Sequence, residues 1–371
     1  MDIVDRWLLP DGVEDVLPPE ASRMEETRRR LLDLFSTWGY DYVIPPIVEY
    51  LESLLTGTGH DLDLKTLKMM DLLSGRMMGL RADITPQVAR IDAHSLNRLG
   101  IVRLCYAGTV VHSQTEGLLE SRTPLSVGAE LFGDSSTRGD VEIVSLMIES
   151  LGSVGLEGIQ VELGDVAIYR HLVRSLGLSS DQQEQMFLAV QMKSPREIGI
   201  LSTRFGLTDE KKELLCTLPG LTGGISVLDE AKLAFKEYPG IIECLNNLQG
   251  VVESIMVRYG DIDVYLDLSE LRGYAYHTGI VFAAHVQNIR QIVAKGGRYD
   301  HVGEVFGRKG RSATGFSINV RNIAGETAAL HETRPTVVVA SQNESGLWQE
   351  VTRLRHEGYT VVESGDVADY D

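Results

Sequence analysis

The sequence predicts an α+β fold: a sheet flanked by helices, interrupted by a helical insertion and followed by a small βαβ fragment. Three observations predict it. Apolar residues alternate with a period of two over Ile101–Val111 and Leu125–Phe132, and again from Val264, Leu266 and Leu268 through to Val320. Between these regions, from Asp165 to about Arg258, the pattern is mostly helical. After Arg334-Pro335 the chain changes style, with a β-branched run at Thr336–Ala340, a helix-like Leu347–His356 and a second strand at Tyr359–Val362.

In chain order, Arg23–Trp38 reads as an amphipathic helix, with Met24, Leu31, Leu34, Phe35 and Trp38 on one face. Gly39 ends it. Tyr40–Ile44 reads as a strand stopped by Pro45 and Pro46, since proline cannot donate to a ladder. Thr85 is suited to cap a helix and Pro86 to its first turn, with Val88, Ile91 and Leu96 facing the core. Ser113–Pro124 is polar and reads as a loop. Val141–Leu151 reads as a helix opened by Asp140. The helical stretch is punctuated at Ser179-Ser180, Pro195, Pro219-Gly220 and Gly223-Gly224.

Composition excludes several classes. The chain has 371 residues, enough for two or three domains with sizeable cores. A formal net charge of −18 argues against a broad nucleic-acid surface, which needs clustered lysine and arginine. Cys105, Cys216 and Cys244 are far apart, so neither a disulfide framework nor a metal site is expected. The first twenty residues lack a basic start and a long apolar core, and no apolar run suits a membrane span. A cytoplasmic protein without cofactor or membrane partner is expected.

The chemistry resides in two short stretches, LRGYAYHTGIVF (Leu271–Phe282) and KGGRYD (Lys295–Asp300). Both resemble the loops that close over histidine in histidyl-tRNA synthetase. GYDYVIPPIVEY (Gly39–Tyr50) is similar to motif 1, the family's dimerisation element. LRADITPQVAR (Leu80–Arg90) resembles its LRPEGT segment, and GAELFG (Gly128–Gly133) the strand that ends motif 2. The resemblance covers most of residues 1–325 and implies a class II aminoacyl-tRNA synthetase-like core with an antiparallel sheet. On that frame, residues 1–162 and 259–325 form the two parts of the core. Residues 163–258 form a mostly helical insertion, and 334–371 a truncated α/β fragment.

A histidine pocket needs a carboxylate for the ammonium, a cation for the carboxylate and an acceptor for the imidazole N–H. The resemblance places Asp83 and Thr85 near the ammonium, Glu130 at the imidazole, Arg272 at the carboxylate, and Tyr276 and Tyr299 beside the ring. Three positions depart from the family. Asp83 stands for the usual glutamate, His277 for a loop tyrosine and Ser126 for a glutamine of the motif 2 strand. The plainer readings are a surface arginine at Arg272, a helix start at Asp83 and Thr85, and core aromatics at Tyr276 and Tyr299. The ordered set of motifs favours ligand contact, and Glu130 would be costly in its apolar strand without a partner.

The same alignment removes the cations that amino-acid activation needs at ATP. The motif 2 arginine falls at His112 and the motif 3 arginine, in GFSINVRNI, at Asn322. Loss of one partner of a desolvated charge pair costs about 3–5 kcal/mol, on the order of a hundredfold to a few thousandfold in rate. The complete anticodon-binding domain is also replaced by the short C-terminal fragment, so tRNA is not an expected partner.

This combination resembles the regulatory subunits of short-form ATP phosphoribosyltransferase. The resemblance implies a non-catalytic chain that dimerises and joins the short-form catalytic subunit in a hetero-octamer. There it activates the first step of histidine biosynthesis and senses L-histidine for feedback inhibition. The alternatives are a divergent histidyl-tRNA synthetase or histidine-activating ligase, with His112 protonated or Arg122 swung in, and a sensor of uncharged tRNA.

Overall fold

The computed structural model describes residues 7–56, 60–115, 117, 121–301, 310–327, 335–340 and 345–364. All ten positions singled out above for the histidine or ATP site lie within them. The change of style at Arg334 and part of the Ser113–Pro124 loop lie outside them. Two compact units result, Met1–Thr327 and Ala328–Asp371.

The large unit is organised by a nine-stranded sheet. In chain order the strands are β1 (Asp41–Tyr42), β2 (Val48–Tyr50), β3 (Leu67–Met70), β4 (Met77–Leu80), β5 (Val102–Thr109), β6 (Leu125–Phe132), β7 (Ile159–Asp165), β8 (Thr222–Gly223), β9 (Asp263–Asp267), β10 (Ile280–Val286), β11 (Ile289–Arg298) and β12 (Ala313–Asn319). The main sheet runs β1-β5-β6-β12-β11-β10-β7-β9-β8, and β2-β4-β3 form a separate small sheet. Pairing is antiparallel except between β1 and β5 and between β7 and β9.

Helix α1 (Glu20–Thr37) buries Leu31 and Phe35 against this sheet, and Phe35 meets Phe316 of β12 edge to face at 5.9 Å. Removing side chains of this size from water contributes about 1.5–3 kcal/mol each. The helix ends because Gly39 adopts φ +80°, a conformation cheap only for glycine. The strand read at Tyr40–Ile44 shrinks to two residues, as Pro45 cannot extend the ladder. Two helices follow β2, α2 (Leu51–Leu55) and α3 (His60–Lys65).

Two helix starts differ from expectation. In α4 (Thr85–Arg90) the position before the first turn is Ile84, and no side chain caps it. The Thr85 hydroxyl turns instead to a buried carboxylate. Helix α5 begins a turn early, spanning Thr137–Ser153, so Asp140 lies inside it and holds Arg298 rather than opening the helix. Strand β7 escaped the sequence reading although Ile159, Val161 and Leu163 alternate. It sits between β10 and β9, deep in the sheet.

Between β7 and β9 the chain is mostly helical, with α6 (Val166–Ser175), α7 (Ser180–Gln191), α8 (Pro195–Arg204), α9 (Asp209–Thr217), α10 (Val227–Ala234) and α11 (Pro239–Tyr259). Asp165 caps α6 by accepting from the Ala167 N–H, and Ser179 and Gln182 close a reciprocal capping box on α7.

In the small unit, β13 (Thr336–Ala340) and β14 (Thr360–Ser364) pair in parallel, connected through a helix at Ser345–His356. This is the expected βαβ arrangement. Among the described residues no helix is long and apolar enough to cross a membrane.

Candidate functional site

A cavity of about 500 Å³ opens on one face of the large sheet. Its floor comes from β6, β12, β11, β10 and β7. Its walls come from the Asp83–Pro86 turn, the Arg272–His277 loop and Gln191 at the end of α7. Glycines make the floor low enough to hold a ligand. A side chain at Gly296 would collide with the Gly315 carbonyl and the Phe282 ring, and one at Gly315 with the Glu130 carboxyl.

Glu130 lies at the bottom, 1 % exposed. Thr85 Oγ1 donates to its Oε1 at 2.8 Å, the Tyr106 hydroxyl lies 3.3 Å from the same oxygen, and the Tyr299 hydroxyl donates to Oε2. Burial pushes this carboxyl up to about 8, with the Asp83 charge acting in the same direction and the hydroxyl partners opposing it. At neutral pH this carboxyl therefore favours its protonated form.

Tyr276 stacks on Tyr299, with ring centroids 4.9 Å apart and planes inclined by 23°. The Tyr276 hydroxyl is buried and has no hydrogen-bond partner among the described residues. An orphaned polar atom of this kind costs free energy until something fills it. The His277 Nδ1 is 3.3 Å from the Arg272 carbonyl, and desolvation pushes its imidazole down to about 4, so the ring is neutral.

Arg272 stands at the opposite end of the cavity, partly exposed. Its Nη2 lies 3.1 Å from Glu270 and 3.7 Å from Glu162, and its backbone N–H donates to Glu270 at 2.6 Å. Burial raises the Glu270 carboxyl, Arg272 opposes the rise, and Glu162 adds to it. Glu162 also accepts from His285 at 3.0 Å.

Seven of the eight residues expected at the ligand meet here: Asp83, Thr85, Glu130, Arg272, Tyr276, His277 and Tyr299. Ser126 does not. It pairs with Gly108 and Asn319 toward the beginning of β6, four residues from Glu130, and does not line the cavity. Glu162, Glu270, Lys295 and Gln191 line it without having been singled out. Lys295 opens the second motif and Glu270 adjoins the first, so both were within reach. Glu162 belongs to the overlooked strand β7, and Gln191 carries no local signal.

The two lost ATP positions stand apart from the cavity lining. His112 Nε2 lies 3.0 Å from the Ala82 carbonyl, and burial lowers the imidazole below its ordinary range, which favours the neutral form. Asn322 lies in the helical turn Val320–Ile323, and its neighbour Arg321 is engaged with Glu14 and Ser121. Arg122 is also occupied, donating to the carbonyls of His112 at 2.9 Å and Asp11 at 3.2 Å.

The family model for histidyl-tRNA synthetase matches residues 12–323. An ATP phosphoribosyltransferase regulatory subunit from Stutzerimonas stutzeri is 49% identical over 368 residues, 99% of this chain and 92% of the relative. Another from Pseudomonas paraeruginosa is 48% identical over 365 residues, 98% of this chain and 92% of the relative. The chain belongs to the ATP phosphoribosyltransferase regulatory subunit family. Its role is that of a regulatory subunit rather than an enzyme, and the ligase alternative is not favoured.

Solved structures agree on the fold of this regulatory subunit family. An ATP phosphoribosyltransferase regulatory subunit/histidyl-tRNA synthetase from Bacillus halodurans superposes with a TM-score of 0.87 at 24% identity, covering 98% of this chain and 95% of that one. A histidyl-tRNA synthetase from Nostoc gives 0.80 at 19% identity, covering 97% and 86%. The class II synthetase-like core read from the sequence is the observed one, with a mixed rather than purely antiparallel sheet.

Proposed function

We propose that this cavity binds L-histidine and that its occupancy regulates a short-form ATP phosphoribosyltransferase catalytic subunit. The observation that carries the reading is Glu130, a buried carboxyl held by hydroxyls beneath the unpaired Tyr276 hydroxyl. The imidazole meets Glu130 beside the stacked Tyr276 and Tyr299, the ammonium meets Asp83 and Thr85, and the carboxylate meets Arg272, with His277 packed behind Tyr276. Ser126 is left out, being off the cavity.

The electrostatics favour a zwitterion over a polyphosphate. Asp83, Glu162 and Glu270 line the cavity beside the protonated Glu130, against Lys65, Arg272 and Lys295, a balance of charges that suits a zwitterion. A triphosphate would meet these carboxylates without the two family arginines, and neither neutral His112 nor engaged Arg122 replaces them.

Assembly follows the same reading. A Thermotoga maritima ATP phosphoribosyl transferase (HisG:HisZ) complex contains a chain that shares this fold, with a TM-score of 0.62 at 18% identity, covering 82% of this chain and 98% of that one. We assign to the present chain a catalytic partner, a dimer through the motif 1 segment, a hetero-octameric complex and a cytoplasmic location, without tRNA. Exposed Tyr42, Ile44 and Ile47 on that segment support the dimer contact.

Histidine shifts the complex toward a less active state only by its differential affinity for the two states. Feedback inhibition of the reconstituted complex tests the site. Arg272→Ala and Glu130→Gln should each weaken inhibition at least tenfold. Unchanged inhibition in both variants would rule this cavity out.

A further inference from the structure

The loop that carries Arg272 and Tyr276 has a second face. Tyr276 points into the cavity, whereas Tyr274, two residues earlier, packs into the helical insertion. Its ring lies 5.4 Å from Tyr169 of α6 and 5.0 Å from Phe187 of α7. The Arg170 guanidinium sits 4.5 Å from the Tyr274 ring centroid, and the same arginine donates to the Tyr274 carbonyl.

The loop itself is closed by its own hydrogen bonds. Tyr274 N–H donates to Leu271 at 3.0 Å, and the Tyr276 and His277 N–H groups both donate to the Gly273 carbonyl at 2.8 Å. Gly273 takes φ +65°, and a side chain there would collide with His277. A turn tied in this way moves as one piece, so displacement of Tyr276 displaces Tyr274.

A second tie runs in parallel. Lys193, just past the end of α7 and in a left-handed conformation at φ +48°, bonds Asp267 Oδ2 at 2.5 Å. Asp267 is buried, and its other oxygen accepts from Ser269 at the entrance to the loop. Between Phe187 and Lys193, Gln191 lines the cavity. The end of α7 is thus tied to the loop twice, through Phe187 and through Lys193.

We propose that Tyr274 and Arg170 are positioning residues that hold the ligand-facing half of the loop from behind and transmit its occupancy to α6 and α7. The insertion is then the element that reads histidine. This inference rests on the histidine reading above, because it takes its ligand from there.

Hydrogen exchange of the full chain, with and without saturating L-histidine, tests it alongside calorimetry on the same samples. In the natural protein, histidine should slow exchange at least fivefold over both 271–278 and 182–192. Tyr274→Leu should bind histidine within about tenfold of the natural affinity and keep ligand-dependent protection over 271–278 while losing it over 182–192. Tyr274→Phe, which keeps the ring, should restore it. Because each variant is compared with itself without ligand, a general loosening of the fold does not mimic the result.

Protection of 182–192 that persists in a histidine-binding Tyr274→Leu would overturn the proposal, as would histidine binding to the natural chain without protection there. A natural chain that binds no histidine would instead sink the parent reading and this inference with it. Should Tyr274→Leu fail to fold, Arg170→Gln takes its place with the same expected loss over 182–192.

Discussion

Gly315 stands where any side chain would strike Glu130: a Cβ there would lie 1.6 Å from the carboxylate Oε2. The two residues face each other across the β6–β12 pair, directly in register. The absence of a side chain on one strand therefore makes room for a buried acid on the next. Gly315→Ala should expel or twist the Glu130 carboxyl, cost about 1–3 kcal/mol of stability from overpacking, and abolish histidine binding. Calorimetry and a urea melt on the same variant check both parts.

The Glu130 carboxyl also predicts a pH dependence of stability. Its folded value of about 8 is above the ordinary 4.5, so between those limits the folded chain holds a proton that the unfolded chain has lost. Stability consequently falls as pH rises through this window, by about 1.4 kcal/mol per pH unit for one group. Asp165, raised to about 7 by burial, contributes in the same direction. The difference in unfolding free energy between the natural chain and Glu130→Gln should slope with pH from 5 to 8 and level off on either side, roughly in steps of that size.

Ligand affinity should follow the same proton. A neutral imidazole meeting a protonated carboxyl places one shared proton in the pair, whichever group holds it. Histidine affinity should decline below a pH of roughly 6.5, where the free imidazole takes up a proton. It should decline again above about 8, where empty Glu130 gives its proton up. In Glu130→Gln the alkaline limb should disappear. Titrations from pH 5.5 to 9.5 read both limbs.

Outside the cavity, the ion pair between Asp140 and Arg298 secures the end of β11 just before Tyr299. Both side chains are almost wholly buried, and the pair closes at 2.9 Å. Removing one partner of a buried pair costs about 3–5 kcal/mol. Asp300 still faces Arg298 at 3.2 Å, and the carbonyls of Asp134 and Ser136 accept from it. Asp140→Asn should therefore lose about 3 kcal/mol, the lower end of that range, as measured by denaturant unfolding.

Much of this architecture was legible in the residues because local chemistry and tertiary role coincide. Leu125–Phe132 alternates and is a strand with those bounds, and the two loop motifs converge on one cavity as their resemblance implied. The misses share a different cause. Thr85 has the chemistry of a cap, but a buried carboxyl competes for its hydroxyl and wins. Asp140 has the chemistry of a helix start, but Arg298, distant in sequence, claims it. Strand β7 joins directly to α6, so its alternation was absorbed into the boundary, and Glu162 went unnoticed with it. Ser126 stands for a glutamine of the motif 2 strand, and membership of that strand does not reveal that the cavity ends before it.

The measurement that tests the account most directly is calorimetric titration of the purified chain with L-histidine, alone and with a short-form catalytic subunit. Linkage requires the partner and the ligand to change each other's affinity by the same factor. The account predicts saturable binding to the chain alone and a shifted affinity when the catalytic subunit is present. Absence of histidine binding in both states would contradict it, leaving an activator whose feedback site lies on the catalytic partner.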